Sequence, residues 1–222
     1  MKPFPQQGMP RLQIDAALDT LMSGDAAWRD GRVPLYVFRG DAEAYDVGRD
    51  AFVRFFSENA LGAKRAFGSV RQMEVDILEM GLSLFHGDDS MAGIVTSGGS
   101  ESIFLAVRAA RAQARVQRQL PKGCGNMVLP VTAHPAFTKA ALSMDLDERR
   151  VPVREDGRAD VAAMAQAVDA ETVMLVGSAP CFPYGVIDPI DELGELAQSR
   201  EQWLHVDACV GGYLAPLSLI HI

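Results

Sequence analysis

The sequence predicts an α/β domain built on a mostly parallel sheet with helices on both faces. Three observations carry this. From residue 92 onward, short apolar runs alternate with segments of helical period. The apolar runs are nearly continuous, as in strands buried on both sides, and residues 172–176 (Thr-Val-Met-Leu-Val) are the clearest case. Segments bearing glycine pairs, a His-Pro step and an aspartate fall just beyond the carboxyl ends of such runs, where ligands gather in parallel sheets.

Taken in order, residues 1–66 show no repeating unit, and one helix is expected around Ile14, Leu18 and Leu21. Met73, Ile77, Met80 and Leu84 recur at helical spacing and stop at Gly87, before the turn-forming Asp88-Asp89. Residues 92–95 are expected as a strand, followed by a glycine turn, a long helix over 100–118 and a Pro-Lys-Gly break. A short strand over 127–131 leads to a helix over 135–144, because proline suits a first helical position and Phe137, Ala141 and Met144 share a face. Val151-Pro152-Val153 is expected as an edge strand, 160–168 as a helix and 172–176 as a buried strand. A helix over 188–200, capped by Asp188, and a strand over 203–206 close the series. No internal repeat, low-complexity tract or linker divides it.

Composition narrows the function. With 222 residues, 48% apolar and 23% charged, the chain can bury a sizeable core. Its 21 Lys and Arg stand against 29 Asp and Glu, a formal charge of −8, which excludes a surface that recruits nucleic acid through basic excess. Cys124, Cys181 and Cys209 have no paired spacing, which fits a reducing, cytoplasmic compartment. No window approaches the roughly 20 apolar residues that span a bilayer, and Met1-Lys2-Pro3-Phe4-Pro5 lacks an apolar signal core, so no membrane contact is expected.

Four segments could carry chemistry. In Thr96-Ser97-Gly98-Gly99-Ser100-Glu101-Ser102, two glycines let backbone approach a ligand and a helix start offers unpaired N–H donors, with Ser100 and Ser102 adding hydroxyls: an anion seat, or simply a serine-capped turn. Ala133-His134-Pro135 sets an imidazole past a strand end, as a pocket group or a helix cap. Gly177 to Pro189 forms an irregular loop that begins with the Ser178 hydroxyl. In His205-Val206-Asp207-Ala208-Cys209-Val210-Gly211-Gly212, the aspartate could cap, bind a metal or pair with a protonated ring nitrogen. The alternate spacing of His205, Asp207 and Cys209 permits a metal face, but no fourth ligand is apparent, so no metal is expected.

In this order and spacing, TSGGSES, AHPAFTKAA, GSAPCFPYGVIDPI and WLHVDACVGG resemble the group II decarboxylase superfamily of pyridoxal-phosphate enzymes, and within it the sphingosine-1-phosphate lyase branch. The resemblance runs from about Phe67 to Tyr213. It implies a type I, aspartate-aminotransferase-like large domain over 67–216, preceded by a helical segment over 1–66, and active sites at a homodimer interface, with the N-terminal helices, including Asn59 to Gly68, near that contact and the substrate entrance. It further implies that Gly99 and Ser100 hold the cofactor phosphate, that His134 stacks on one face of the pyridine ring with Cys209 against the other, and that Asp207 pairs with the ring nitrogen. Ser178 would make a polar contact, and Glu101 would orient the helix start.

The sequence departs from the family's pattern in two respects, the small C-terminal domain that completes the substrate pocket and the Schiff-base lysine, neither of which is expected in this chain. The Schiff-base lysine lies downstream in a Ser-x-x-x-His-Lys type segment, and none of Lys2, Lys64, Lys122 and Lys139 has that context. Residues 217–222 read as the translation of a transposase-adapter sequence, CTGTCTCTTATACACATC, so a non-native tail on a truncated gene is expected, with weak cofactor binding and no turnover. For the intact parent, the resemblance implies a carbon–carbon lyase: an amino-acid decarboxylase, or an aldehyde-lyase acting on a phosphorylated amino alcohol. An aminotransferase, or a non-catalytic dimerisation module on the same fold, is the alternative. A dinucleotide-binding protein would need an acidic ribose contact about 20 residues past the glycine turn, and residues 116–121 offer none.

Overall fold

The computed structural model describes residues 4–33, 37 and 40–217, and the chain divides into two compact units at Arg71/Gln72. Lys2 and tail residues 218–222 lie outside the described residues. The first unit holds α1 (Arg11–Met22) and α2 (Ala42–Arg54). The first is the helix expected from Ile14, Leu18 and Leu21. The second falls within the helical segment that the resemblance implies over 1–66, and its charged residues Glu43, Asp46, Asp50 and Arg54 share one face. It is started by Asp41, whose carboxylate accepts the Ala44 N–H at 2.7 Å.

Helix α3 (Gly68–Leu84) runs into the second unit, which continues with α4 (Gly99–Gln117), β1 (Asn126–Pro130), α5 (Ala136–Met144) and β2 (Asp147–Val151). It goes on through α6 (Val161–Ala167), β3 (Thr172–Ser178), α7 (Ile190–Ser199) and β4 (Trp203–Asp207). The four strands are all parallel, in the order β2-β1-β3-β4. Every residue of β1 and β3 is buried, which is why both read as continuous apolar runs. Met127, Leu129, Met174 and Val176 face α4 and α5, packing against Val107, Phe137 and Met144. Val128 and Leu175 face α6 and α7, packing against Met164 and Leu193. Each of these fully buried side chains contributes about 1.5–3 kcal/mol relative to exposure, so the two central strands hold the unit together.

Three expectations need correction. Residues 92–95 form no strand: Ile94 is 70% exposed, and at Gly93 the backbone lies so close to α3 that a Cβ would stand 2.6 Å from Leu78 Cδ2. Among the described residues, no neighbouring strand offers that segment a ladder. The edge strand is Asp147–Val151 rather than 151–153; its polar sequence, Asp-Glu-Arg-Arg-Val, suits a half-exposed edge, and Pro152 ends it by lacking an N–H. Val153 instead makes an isolated antiparallel bridge with Ala159.

The third correction concerns Asp188, which does not cap α7; Pro189 occupies that position with no side-chain cap. The Asp188 carboxylate is 2% exposed and accepts the Ala159 N–H on Oδ1 and the Ser178 N–H on Oδ2, each at 2.8 Å. Burial pushes its pKa above the ordinary carboxylate value, and the two backbone donors work against that rise.

At the opposite edge of the sheet, Asp169 accepts from Asn126 Nδ2 at 2.9 Å and pairs with Arg149 at 2.5 Å, while its own N–H donates to Thr172 Oγ1. Desolvation pulls this carboxyl upward, but the Asn126, Arg149 and Glu171 donors bring it down to about 2.

Two outcomes follow. Asp188→Ala leaves two buried N–H groups without acceptors and should lower unfolding free energy by about 2–4 kcal/mol, read by urea denaturation. A change below about 0.5 kcal/mol would contradict the assigned role. Because the folded pKa of Asp169 lies below its ordinary 3.8, its contribution is present above pH 3.8 and lost as pH falls toward 2. Asp169→Asn should therefore flatten the stability profile over that window.

Candidate active site

Gly99, Asp207 and Cys209 come together in one open cavity of about 370 Å³ at the carboxyl edge of the sheet, within the ordinary range of small-molecule sites. Thr96, Ser102, Ile103 and His205 complete its working surface.

The helix α4 supplies the anion seat. Its ladder starts with the Glu101 and Ser102 N–H groups, both donating to Gly98 O at 3.1 Å. Among the described residues, the N–H groups of Gly99 and Ser100 donate to no acceptor in the chain and stand free at the positive end of the helix. A Cβ on Gly99 would stand 3.0 Å from Cys209 Sγ, so glycine keeps the seat open where the β4 turn passes beneath it.

The alternative of a serine-capped turn does not hold, since the N-cap is Gly98 with no side-chain cap. Glu101 does orient the helix start: its Oε2 accepts the Ser97 N–H and hydroxyl at 2.7 Å each, which holds its pKa below the ordinary value. Thr96 Oγ1 and Ser102 Oγ share a hydrogen bond of 2.7 Å. Ser100 is exposed and lies outside the cavity lining, whereas Ser102 is part of it.

Asp207 is the last residue of β4. Its Oδ1 accepts the Cys209 N–H at 3.1 Å, its carbonyl accepts the Ala179 N–H at 2.9 Å, and among the described residues its Oδ2 accepts nothing. Gly211 seats the turn that follows, because a Cβ there would stand 2.2 Å from the Ala179 carbonyl oxygen.

Ser178 is buried and pairs in register with Asp207 across β3 and β4, without lining the cavity. His134 lies past the end of β1, half-buried and outside the cavity lining. Its Nδ1 accepts the Ala136 N–H at 3.1 Å, so the ring serves the start of α5 as a cap, and it meets Phe182 edge-on at 6.0 Å. The cap fixes the ring plane and leaves Nε2 outside that bond.

His205 was singled out in the sequence only as a possible metal ligand. Among the described residues, no group of three or more His, Cys, Asp or Glu could hold a metal ion. His205 instead packs edge-on against Phe137 at 5.6 Å. Burial lowers its pKa, against the attraction of Asp207. Its position two residues before Asp207 on a strand was the available signal, since alternate residues share a face.

Free backbone donors at a helix start, a carboxylate with an open oxygen, and a glycine held open between them fit a flat, anionic, ring-nitrogen cofactor. The comparisons agree. Residues 69–219 match the pyridoxal-dependent decarboxylase conserved domain, and the chain belongs to that family; pyridoxal phosphate is the cofactor this membership implies.

Sphingosine-1-phosphate lyase 1 of Mus musculus is 38% identical over 216 residues, 96% of this chain and 37% of that protein. A probable L-tyrosine/L-aspartate decarboxylase of Methanosarcina acetivorans is 34% identical over 174 residues, 73% of this chain and 44% of that protein. The solved sphingosine-1-phosphate lyase of Burkholderia pseudomallei superposes with a TM-score of 0.84 at 36% identity, covering 97% of this chain and 51% of that one. Lactobacillus brevis glutamate decarboxylase, at 20% identity and a TM-score of 0.81, shares the type I fold. The chain thus spans about two-fifths of the curated relatives and about half of the solved chains.

The lowered His205 pKa has a measurable consequence. Its stabilising contribution is full above its ordinary value of 6.5 and is lost as pH falls through the folded value. In an imidazole NMR titration, His205 should titrate below 6.5; a midpoint at or above that value contradicts the buried, neutral ring.

Proposed function

We propose that this chain is the cofactor-binding part of a pyridoxal-phosphate-dependent carbon–carbon lyase. The observation that carries the reading is the convergence of the start of α4, at Gly98 and Gly99, with the open Asp207 carboxylate in one cavity; the unpartnered N–H groups of Gly99 and Ser100 lie at that helix start. The two N–H groups, at the α4 dipole, bind the phosphate. The Asp207 carboxylate holds a proton on the ring nitrogen, and the Cys209 N–H bond to Oδ1 aims its other oxygen. His134, its plane fixed by the Ala136 N–H, stacks on the ring; Cys209, against Gly99, limits the opposite side. Ser178 supplies a polar contact beneath, in register with Asp207. When bound, pyridoxal phosphate supplies an electron sink for the pair left behind when a bond at the substrate Cα breaks.

Within lyases, we favour aldehyde-lyase cleavage of a phosphorylated amino alcohol over decarboxylation of an amino acid. The support is identity: sphingosine-1-phosphate lyases match nearly the whole chain at up to 38%, the archaeal decarboxylase 73% of it at 34%. We also propose a homodimer, supported by the exposed apolar residues Leu12, Leu18 and Leu21 on α1, and a cytoplasmic setting, supported by three free cysteines. Among the described residues, no helix is long and apolar enough to cross a membrane.

Titration of pyridoxal phosphate into the protein, followed by absorbance, tests the site. Wild type should bind saturably. Asp207→Asn, which keeps an acceptor for the Cys209 N–H but loses the charge, should bind about tenfold more weakly or worse. No saturable binding by wild type, or equal binding by the variant, would overturn the reading.

A further inference from the structure

The site as described makes no use of a network at the carboxyl edge of β2. Arg150 sends Nη1 to the carbonyl oxygens of Val131 and Ala133, at 3.3 Å each, and Nη2 to Thr138 Oγ1 at 3.1 Å and Glu148 Oε1 at 2.9 Å. Thr138 Oγ1 donates to the same Glu148 oxygen at 3.1 Å, which closes a triangle of side chains. The side chains of Arg150 and Glu148 are only 27% and 17% exposed, so the network is largely withdrawn from water.

What the guanidinium grips is the connection that carries His134. Strand β1 ends at Pro130 and α5 begins at Ala136; residues 131–135 lie between. Arg150 holds the backbone on the approach to His134, at Val131 and Ala133. Through Thr138 it also holds the first turn of the helix that follows. The Val131 N–H donates to Val151 O at 2.9 Å, tying the same loop to the strand that bears Arg150. His134 sits between these anchors with its Nδ1 on the Ala136 N–H. Only a planar fork with donors on two nitrogens can reach two carbonyls, a hydroxyl and a carboxylate at once; a lysine ammonium lacks that geometry.

We propose that Arg150 is a positioning residue for the cofactor site, holding the 131–135 loop so that the His134 ring is presented at the carboxyl edge of the sheet. The proposal rests on the reading of His134 as the residue that stacks on the cofactor. It assigns a site function to a residue on the edge strand, away from the cavity lining.

The test combines imidazole spectra with binding. The chain has four histidines, so histidine-labelled protein gives a readable spectrum in which His134→Gln assigns the His134 signals. Arg150→Ala should shift or broaden the His134 signals and leave those of His205 in place, with Arg150→Lys intermediate. Arg150→Ala should weaken pyridoxal phosphate binding about tenfold when His134 is present, and by less than about twofold in a His134→Ala background. Unchanged His134 signals in a folded Arg150→Ala protein, or an equal loss with and without His134, would overturn the proposal. Absence of binding, or no loss in His134→Ala alone, would instead refute the stacking role of His134, while the spectra still decide whether Arg150 sets the ring. Should Arg150→Ala fail to fold, Arg150→Lys and Glu148→Gln serve the same comparison, each with a smaller displacement of the His134 signals; none in either would overturn the proposal.

Discussion

The buried carboxylate of Asp188 is the constraint on which the carboxyl edge of the sheet depends. A parallel strand that ends inside a protein leaves backbone groups that need partners, and an edge meant to hold a ligand cannot bury them all among themselves. Asp188 takes the Ser178 N–H at the end of β3 and the Ala159 N–H of the segment following β2, while its own N–H returns to Ser178 O at 3.0 Å. One residue later, the Ala179 N–H holds the carbonyl of Asp207, and the Gly211 turn packs on the Ala179 carbonyl. The position of the Asp207 carboxylate is therefore inherited from a different carboxylate, which lies outside the cavity lining. Desolvation disfavours charge on Asp188, and two short backbone bonds offset that cost, as a group with a structural role requires.

The strand order explains why the site lies where it does. From β1 the chain moves outward to β2, then crosses back to place β3 on the other side of β1, and β4 beyond it. The connections leaving β1 and β3 diverge at that reversal, α5 packing on one face of the sheet and α7 on the other, while the cavity itself lies farther along, between the end of β4 and the start of α4. His134 follows β1, Ser178 ends β3 and Asp207 ends β4, so residues far apart in sequence reach one edge. The helix α4 lies on the face toward which His205 and Asp207 point, and it brings the Gly99 start over the end of β4.

Much of this was legible in the sequence, for physical reasons particular to each element. Strands β1 and β3 were visible because burial on both faces demands unbroken apolar residues, and α4, α5 and α7 because one face of each is buried and the other is not. Strand β2 was displaced because an edge strand tolerates charge: Glu148 and Arg150 read as loop, yet they sit in register with Met127 and Leu129. Residues 92–95 misled in the opposite sense, having strand composition without a strand beside them. Asp188 looked like a cap because a capping residue and a backbone staple have the same local sequence, Asp before Pro; only the partners, 29 and 10 residues away, distinguish them. The clamp made by Arg150 was invisible for the same reason, since each of its bonds across the loop spans 12 to 19 residues.

The same distinction sharpens the anion seat. A motif such as Ser-Gly-Gly-Ser invites attention to hydroxyls, and Ser100 carries one, but its side chain is exposed and outside the cavity. What Ser100 contributes is its N–H, a group every residue except proline possesses. The side chain that matters is the one Gly99 lacks, because Cys209 Sγ occupies the space a Cβ would need. In the proposed site, this end of the cavity would therefore act through backbone direction, set by where α4 begins, and through the absence of one carbon atom. At the other end it would act through a single carboxylate, Asp207. A pocket divided in this way selects a ligand by the separation of its anion from its protonated nitrogen, and it leaves the choice of which Cα bond breaks to groups that contact the substrate rather than the cofactor.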